Sequence, residues 1–220
     1  MVIAALTLYF VFAVLGFGWR SWRQWRRTGS TGFRGISGRL GSLEWMAGAG
    51  FIIAIVAGIA AALLQLTRMV SPLGSLHTWW IQALGVALAL FGIAATVYSQ
   101  NGMGESWRIG VDASETTTLV RHGAFSMVRN PIFTAMLVFA GGIALMTPNI
   151  LAIAGFVLML TTIELQVRVV EEPYLLLVHG DDYRDYSGTV GRFIPGVGYP
   201  TARNTDQATV ERRNHAATAD

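Results

Sequence analysis

Leu119-Val120-Arg121-His122-Gly123-Ala124-Phe125-Ser126-Met127-Val128-Arg129-Asn130-Pro131-Ile132-Phe133 sits between long apolar runs, and everything else in the chain frames it. Arg121, His122 and Arg129 alternate with apolar residues, Gly123 supplies a flexible joint, and Pro131 presets the backbone where the next apolar run begins. Such a segment reads as a polar binding loop held at a membrane surface by the helix it starts.

Outward from this loop the chain is apolar. Of its 220 residues 53% are hydrophobic and only 13% charged, which departs from soluble domains in the direction of membrane proteins. Apolar runs cover 2–18, 43–66, 79–98, 132–146 and 150–170. A helix needs about 20 residues to span, with roughly 17 sufficing, so the first three runs and the fifth can each cross. The fourth is short and can cross only with its flanks or within a packed hairpin. The expected fold is all-α, a polytopic membrane helix bundle of about five transmembrane helices.

Arginine placement sets the orientation. No positive residue precedes the first run, and Arg20, Arg23, Arg26 and Arg27 follow it, the reverse of a secretory signal peptide. The first run is therefore a retained helix with its amino end outside. The six arginines between Trp19 and Arg39, with Trp19, Trp22 and Trp25, suit a cytoplasmic surface segment among anionic headgroups; beside a span, that reading is preferred to a nucleic-acid patch. This path puts 15 of the 16 arginines inside and only Arg68 outside.

Thr147-Pro148-Asn149 is too short for anything but a tight antiparallel hairpin between the fourth and fifth runs. The loop of 99–130 and the segment after Val170 then meet on the cytoplasmic face. Three regions follow: three amino-terminal helices with a basic loop over 1–98, a region of loop, helical hairpin and following polar segment over 99–198, and a disordered polar tail over 199–220 that leaves a short helix around 207–214 open.

Several chemistries are excluded. There is no cysteine for a disulfide, thiolate metal site or thiol nucleophile. No two of the four histidines stand at helical metal-ligand spacing, so no metal is expected. Gly102-Met103-Gly104 follows an apolar run and Gly196-x-Gly198 precedes a polar tail, so neither is a strand-to-helix dinucleotide fingerprint. Glu164 and Arg168, at i, i+4 in the fifth run, stand out instead. Glu164 lies about 10 Å deeper than Glu171, where charge is costly; the pair either serves function or neutralises itself. Tyr183 and Tyr186 read either as interfacial aromatics or as ligand contacts.

The opening stretch also resembles a family signature. Leu119-Val120-x-x-Gly123-x-Phe125-x-x-Val128-Arg129-Asn130-Pro131-x-Phe133 is similar to the LV-x-x-GPY-x-x-VRHP-x-Y pattern of the isoprenylcysteine carboxyl methyltransferase and phospholipid N-methyltransferase superfamily. Glu171-Glu172, Gly180 to Tyr186, and Arg192-Phe193-Ile194-Pro195 resemble that family's second block, so the likeness covers about residues 100 to 197. The resemblance implies an S-adenosylmethionine pocket lined by Thr118, Leu119, Val120, Phe125, Asn130, Pro131, Ile132, Phe133 and Glu171. Asn130 replaces the family's histidine, and Phe125 and Phe133 replace its tyrosines, which keeps ring faces and loses hydroxyls.

Under that resemblance Arg129 is expected to meet the cofactor carboxylate or a lipid phosphate, and Glu171 its ammonium. The implied reaction is methyl transfer to a lipophilic or membrane-embedded acceptor at the cytoplasmic face. Arg168 would hold an anionic acceptor, and Glu164 or Glu172 would serve as base for an amine or alcohol. A membrane reductase using NADPH and a non-enzymatic scaffold binding membrane lipids are the competing classes.

Overall fold

The computed structural model describes residues 1–31, 35–36, 38–104 and 118–200. Arg34, the stretch from Glu105 to Arg108, and the tail with its possible helix around 207–214 lie outside the described residues. Six helices follow in order among those described: α1 (Val2–Thr28), α2 (Leu43–Leu66), α3 (Trp79–Gly102), α4 (Pro131–Met146), α5 (Ile150–His179) and α6 (Asp181–Thr189). Helices α1, α2, α3 and α5 are long and apolar enough to cross a membrane, while α4 is the shorter apolar helix expected. The chain is an all-helical integral membrane bundle.

Its helices associate through small residues, because lipid supplies no hydrophobic drive between two apolar surfaces and close backbone approach must do so instead. The α3–α4 contact is the most extensive, followed by α2 against α5. A Cβ on Gly85 would lie 2.7 Å from the Gly142 carbonyl oxygen, and one on Gly142 would lie 2.6 Å from that of Gly85. Gly92 meets the Phe139 backbone nitrogen in the same way, at 2.6 Å. Helix α1 lays its aromatics across this pair: Phe12 stacks on Phe139 with centroids 4.2 Å apart, and Tyr9 meets the same ring edge-on at 5.4 Å.

Thr147-Pro148-Asn149 forms the expected hairpin turn, and it is fully buried. Buried turns need partners for their polar groups. Asn149 Oδ1 accepts from the Ala152 N–H at 2.9 Å as the cap of α5, and its Nδ2 donates to Gln65 Oε1 at 2.8 Å and the Ala61 carbonyl at 3.1 Å. The Pro148 carbonyl accepts from the Leu73 N–H at 2.7 Å. One end of the hairpin is thus stapled to α2 and to the 67–78 link.

The basic stretch after Trp19 departs from expectation. Instead of opening a separate surface segment, α1 runs on through a π-helical turn (Ala13–Trp19) to Thr28. The reason is polar and internal: Arg20 is buried, and it donates to the Gln100 and Gly104 carbonyls at the end of α3, where a helix dipole favours a cation. Gln100 Nε2 donates back to the Gly16 carbonyl at 2.8 Å, inside the π turn. Trp19, Trp22 and Trp25 remain exposed, as headgroup anchors would be.

Gly142→Val should place a branched side chain against backbone on the facing helix, which cannot retreat. We expect a loss of about 1–3 kcal/mol in detergent unfolding, whereas Gly102→Ala, whose Cβ meets nothing within 4 Å, should leave the melting temperature unchanged.

Candidate functional site

Pro131 sits at the first position of α4, and the N–H groups of Arg129 and Asn130 just before it find partners outside the helix. They find the second block. Arg129 N–H donates to the Gly191 carbonyl at 2.8 Å and Asn130 N–H to the Arg192 carbonyl at 3.1 Å, so that Val128 and Gly191 form a parallel bridge. Asn130 Nδ2 adds a second bond to the Arg192 carbonyl at 3.2 Å. Thr134 Oγ1, one turn into α4, reaches the Phe193 carbonyl at 3.0 Å. Gly191 has no alternative at this crossing, because a Cβ there would stand 2.2 Å from the Ile194 oxygen.

Arg129 closes the seam. Its side chain is only 2% exposed, and both terminal nitrogens donate twice: Nη1 to the Ser187 and Val190 carbonyls at 2.9 and 2.7 Å, Nη2 to Glu172 Oε1 at 2.8 Å and the Gly198 carbonyl at 3.1 Å. The guanidinium expected to face a cofactor carboxylate or a lipid phosphate is therefore turned inward, and its terminal donors are spent on the protein. Glu172 is spent likewise, since Arg192 holds it with Nε on Oε1 at 2.7 Å and Nη2 on Oε2 at 2.9 Å. With both oxygens occupied, Glu172 is poorly placed to take a substrate proton. Hydrogen bonding to Glu172 lifts the Arg192 guanidinium above its ordinary value, against the effect of burial, and Glu164 contributes in the same direction.

The two tyrosines also turn inward. Tyr183 and Tyr186 are buried within the protein. Tyr186 donates its hydroxyl to the Phe125 carbonyl at 2.6 Å, tying α6 to the short 3₁₀ turn Gly123–Ser126. Burial pushes the Tyr186 phenol up to about 12, with Arg129 and Arg121 pulling the other way. Burial also raises Tyr183, and the carboxylates of Glu172 and Glu171 add to it.

The remaining expected residues divide by depth. Thr118, Leu119 and Val120 lie in extended chain leading into the 3₁₀ turn, Thr118 exposed and the other two half-buried. Phe125 is buried, and Pro131 is buried at the start of α4; Ile132 and Phe133 pack against the cluster built on Phe12, Phe139 and Ile143. Glu171 is half-buried at the end of a π-helical turn, Gln166–Glu171, that also carries Arg168. π turns inside α-helices recur at functional sites. Arg168 Nε pairs with Glu164 Oε2, as the i, i+4 spacing implies, and the pair is accessible, at 57% and 35%.

A cleft of about 330 Å³ opens between the loop and α6, lined by Arg121, Ser126, Asp185, Tyr186, Thr189 and Val190. Arg121 and Ser126 adjoin the expected cofactor residues Val120 and Phe125 in sequence, the other four come from α6 and the residue after it, and none of the expected cofactor residues lines the cleft. Sequence reading passed over Ser187, Val190, Gly191 and Gly198, which supply acceptors for the seam; the closely spaced glycines around Arg192-Phe193-Ile194-Pro195 were the available sign of a tight crossing.

Fold and site together define an integral membrane protein in which two sequence-distant blocks are sewn into one polar face at the end of a helix bundle. Residues 80–182 match the family described as phospholipid methyltransferase. Protein-S-isoprenylcysteine O-methyltransferase A of Arabidopsis thaliana is 24% identical over 144 residues, 64% of this chain and 73% of the relative. Among solved structures, the eukaryotic intramembrane Ras methyltransferase, isoprenylcysteine carboxyl methyltransferase without a monobody, matches with a TM-score of 0.56 at 22% identity, over 69% of this chain. The match spans only 55% of that structure's chain, and at this identity it establishes the fold. Family match, relative and fold together support the integral membrane methyltransferase superfamily.

Tyr186→Phe should cost about 1 kcal/mol at neutral pH through the lost bond to Phe125. Because the folded state holds the Tyr186 proton more tightly than the unfolded chain does, its contribution is complete below pH 10 and disappears as pH climbs toward about 12. Melting temperature followed from pH 8 to 12 should therefore fall less steeply for Tyr186→Phe than for the wild type, with Tyr183 keeping part of the slope in both.

Proposed function

We propose that this protein transfers a methyl group from S-adenosylmethionine to a lipophilic, anionic acceptor at the cytoplasmic membrane face. The observation that carries the reading is the accessible Glu164–Arg168 pair on the face of a membrane span, beside the π turn that ends at Glu171. Charges on a span are costly against lipid and are kept where they meet a wet cavity or a polar ligand.

The residues fit such a donor in kind. Glu171 offers a carboxylate for an ammonium, Asn130 a carboxamide, and the 118–124 segment backbone groups at the mouth of the polar cleft. A cleft of about 330 Å³ is at the small end of ligand sites. The donor supplies a methyl group already activated on a sulfonium. The protein's work is then alignment and exclusion of water: the seam of Arg129, Glu172 and Arg192 fixes the two blocks relative to each other, and the hydrogen bonds these groups make within the protein keep them from competing for the substrate. An anionic acceptor needs no base, which accords with Glu172 being occupied. Arg168 can then orient the acceptor, with Glu164 as its resting partner.

Titration of the detergent-solubilised protein with S-adenosylhomocysteine should raise its melting temperature by mass action, and NADPH should not. The opposite result would favour a reductase, and silence from both a scaffold. With labelled donor, prenylcysteine carboxylates, phospholipid amines and lipophilic thiols can be screened as acceptors.

Glu171→Gln should weaken S-adenosylhomocysteine binding about tenfold to hundredfold, the size of a charged hydrogen bond of about 1.5–3 kcal/mol, while the protein stays folded. Unchanged affinity would take Glu171 out of the site. Arg168→Ala should lower turnover by a similar factor with donor affinity near wild type, since the lost contact belongs to the acceptor. A stable, fully active Arg168→Ala protein would defeat the assignment.

A further inference from the structure

Ile194, Val197 and Tyr199 close the second block with three large apolar side chains that the methyl-transfer reading does not use. In the structure they project outward, Ile194 by 60% and Val197 by 56%, from the tip of a turn in which Val197 N–H donates to the Ile194 carbonyl at 3.1 Å and Arg192 N–H to the Val197 carbonyl at 2.8 Å.

Two observations say what surrounds this tip. The first is its root. Phe193, immediately before Ile194, packs against the cluster of Ala54, Met159 and Ile163, which belongs to the membrane spans α2 and α5, and its carbonyl is held by Thr134 in the first turn of α4. The turn is thus wedged into the end of the bundle instead of standing off it in an aqueous loop. The second is its backbone. The carbonyls of Gly191, Arg192, Phe193, Ile194, Val197 and Gly198 each accept a hydrogen bond, and Pro195 has no N–H to satisfy. Six of the eight carbonyls of the turn are thus met from within the protein, which lowers the cost of placing irregular backbone near acyl chains.

We propose that the Gly191–Gly198 turn is inserted into the bilayer, with Ile194 and Val197 among lipid acyl chains and Tyr199 at the headgroup boundary. The consequence reaches the site. Arg192 at the start of the turn clamps Glu172, and the Gly198 carbonyl at its end receives Arg129, so lipid packing around the tip holds the second block against the first. The bilayer acts as a third wall of the seam, whatever reaction the site performs.

The test uses the full chain, which has no cysteine to remove. Ile194→Cys and Val197→Cys carry a nitroxide label in nanodiscs of phosphatidylcholine and phosphatidylglycerol. Collisions with oxygen, which partitions into acyl chains, are compared with collisions with a water-soluble nickel chelate. Val157→Cys, exposed in the apolar first half of α5, gives the lipid reference, and Gly188→Cys, in open space on α6, the aqueous one. We expect the oxygen-to-nickel ratio at 194 and 197 to exceed that at 188 several-fold and approach that at 157. A ratio equal to that at 188 overturns the proposal by placing the tip in water. Low collision with both reagents overturns it too, because protein, a second copy or another part of the chain then covers the tip. If labelling at 194 or 197 prevents assembly, Tyr199→Cys just after the turn is judged against the same references, with a boundary value between them expected and an aqueous value counting against insertion.

Discussion

The buried Arg129 guanidinium is the constraint around which the rest of this structure is arranged. Removing a charge of that size from water costs several kcal/mol, and it is tolerated only where hydrogen bonds and an opposite charge replace the lost hydration. Four elements contribute that replacement: the end of α6 through Ser187, the following strand-like segment through Val190, the turn through Gly198, and α5 through Glu172. Because a guanidinium is planar and its donors are fixed in direction, the acceptors can satisfy it in only one arrangement. The second block is thereby held in one register on the first, and the backbone bonds of Arg129 and Asn130 to Gly191 and Arg192 follow that register.

Holding the seam steady requires a bundle that does not shift beneath it. At the far end, Asn149 ties the hairpin to α2, and in the middle, Gly85, Gly92 and Gly142 let α3 and α4 approach to backbone contact. Both are packing devices suited to lipid, where polar bonds and close fit replace hydrophobic drive. At the near end α1 reaches across, with Arg20 on the last carbonyls of α3 and Gln100 returning a bond to Gly16. The first helix therefore belongs to the framework of the site as well as to the membrane anchor.

Charge is sorted between these layers. In the interior Glu172 accepts from both Arg129 and Arg192, whereas Glu164 and Arg168 pair where they can be reached. The accessible pair lies on a span whose helix is interrupted by a π turn.

Much of this was legible in the residues themselves. Apolar runs longer than a membrane is thick can do little but span it, the three residues between the fourth and fifth runs leave room only for a hairpin, and the i, i+4 spacing of Glu164 and Arg168 makes them a pair on any helix. Those are local consequences of residue type and distance along the chain. What the sequence could not decide is which way a side chain turns once distant segments meet. Arg129 and Tyr186 looked like surface groups because arginine and tyrosine at a membrane boundary usually are; they are interior because Glu172, the Phe125 carbonyl and the carbonyls of the 187–198 segment wait there, 43 to 69 residues away along the chain. Arg20 was drawn inward likewise, by carbonyls 80 and 84 residues distant. A polar group goes where its partners are, and only the tertiary structure brings those partners within hydrogen-bonding reach.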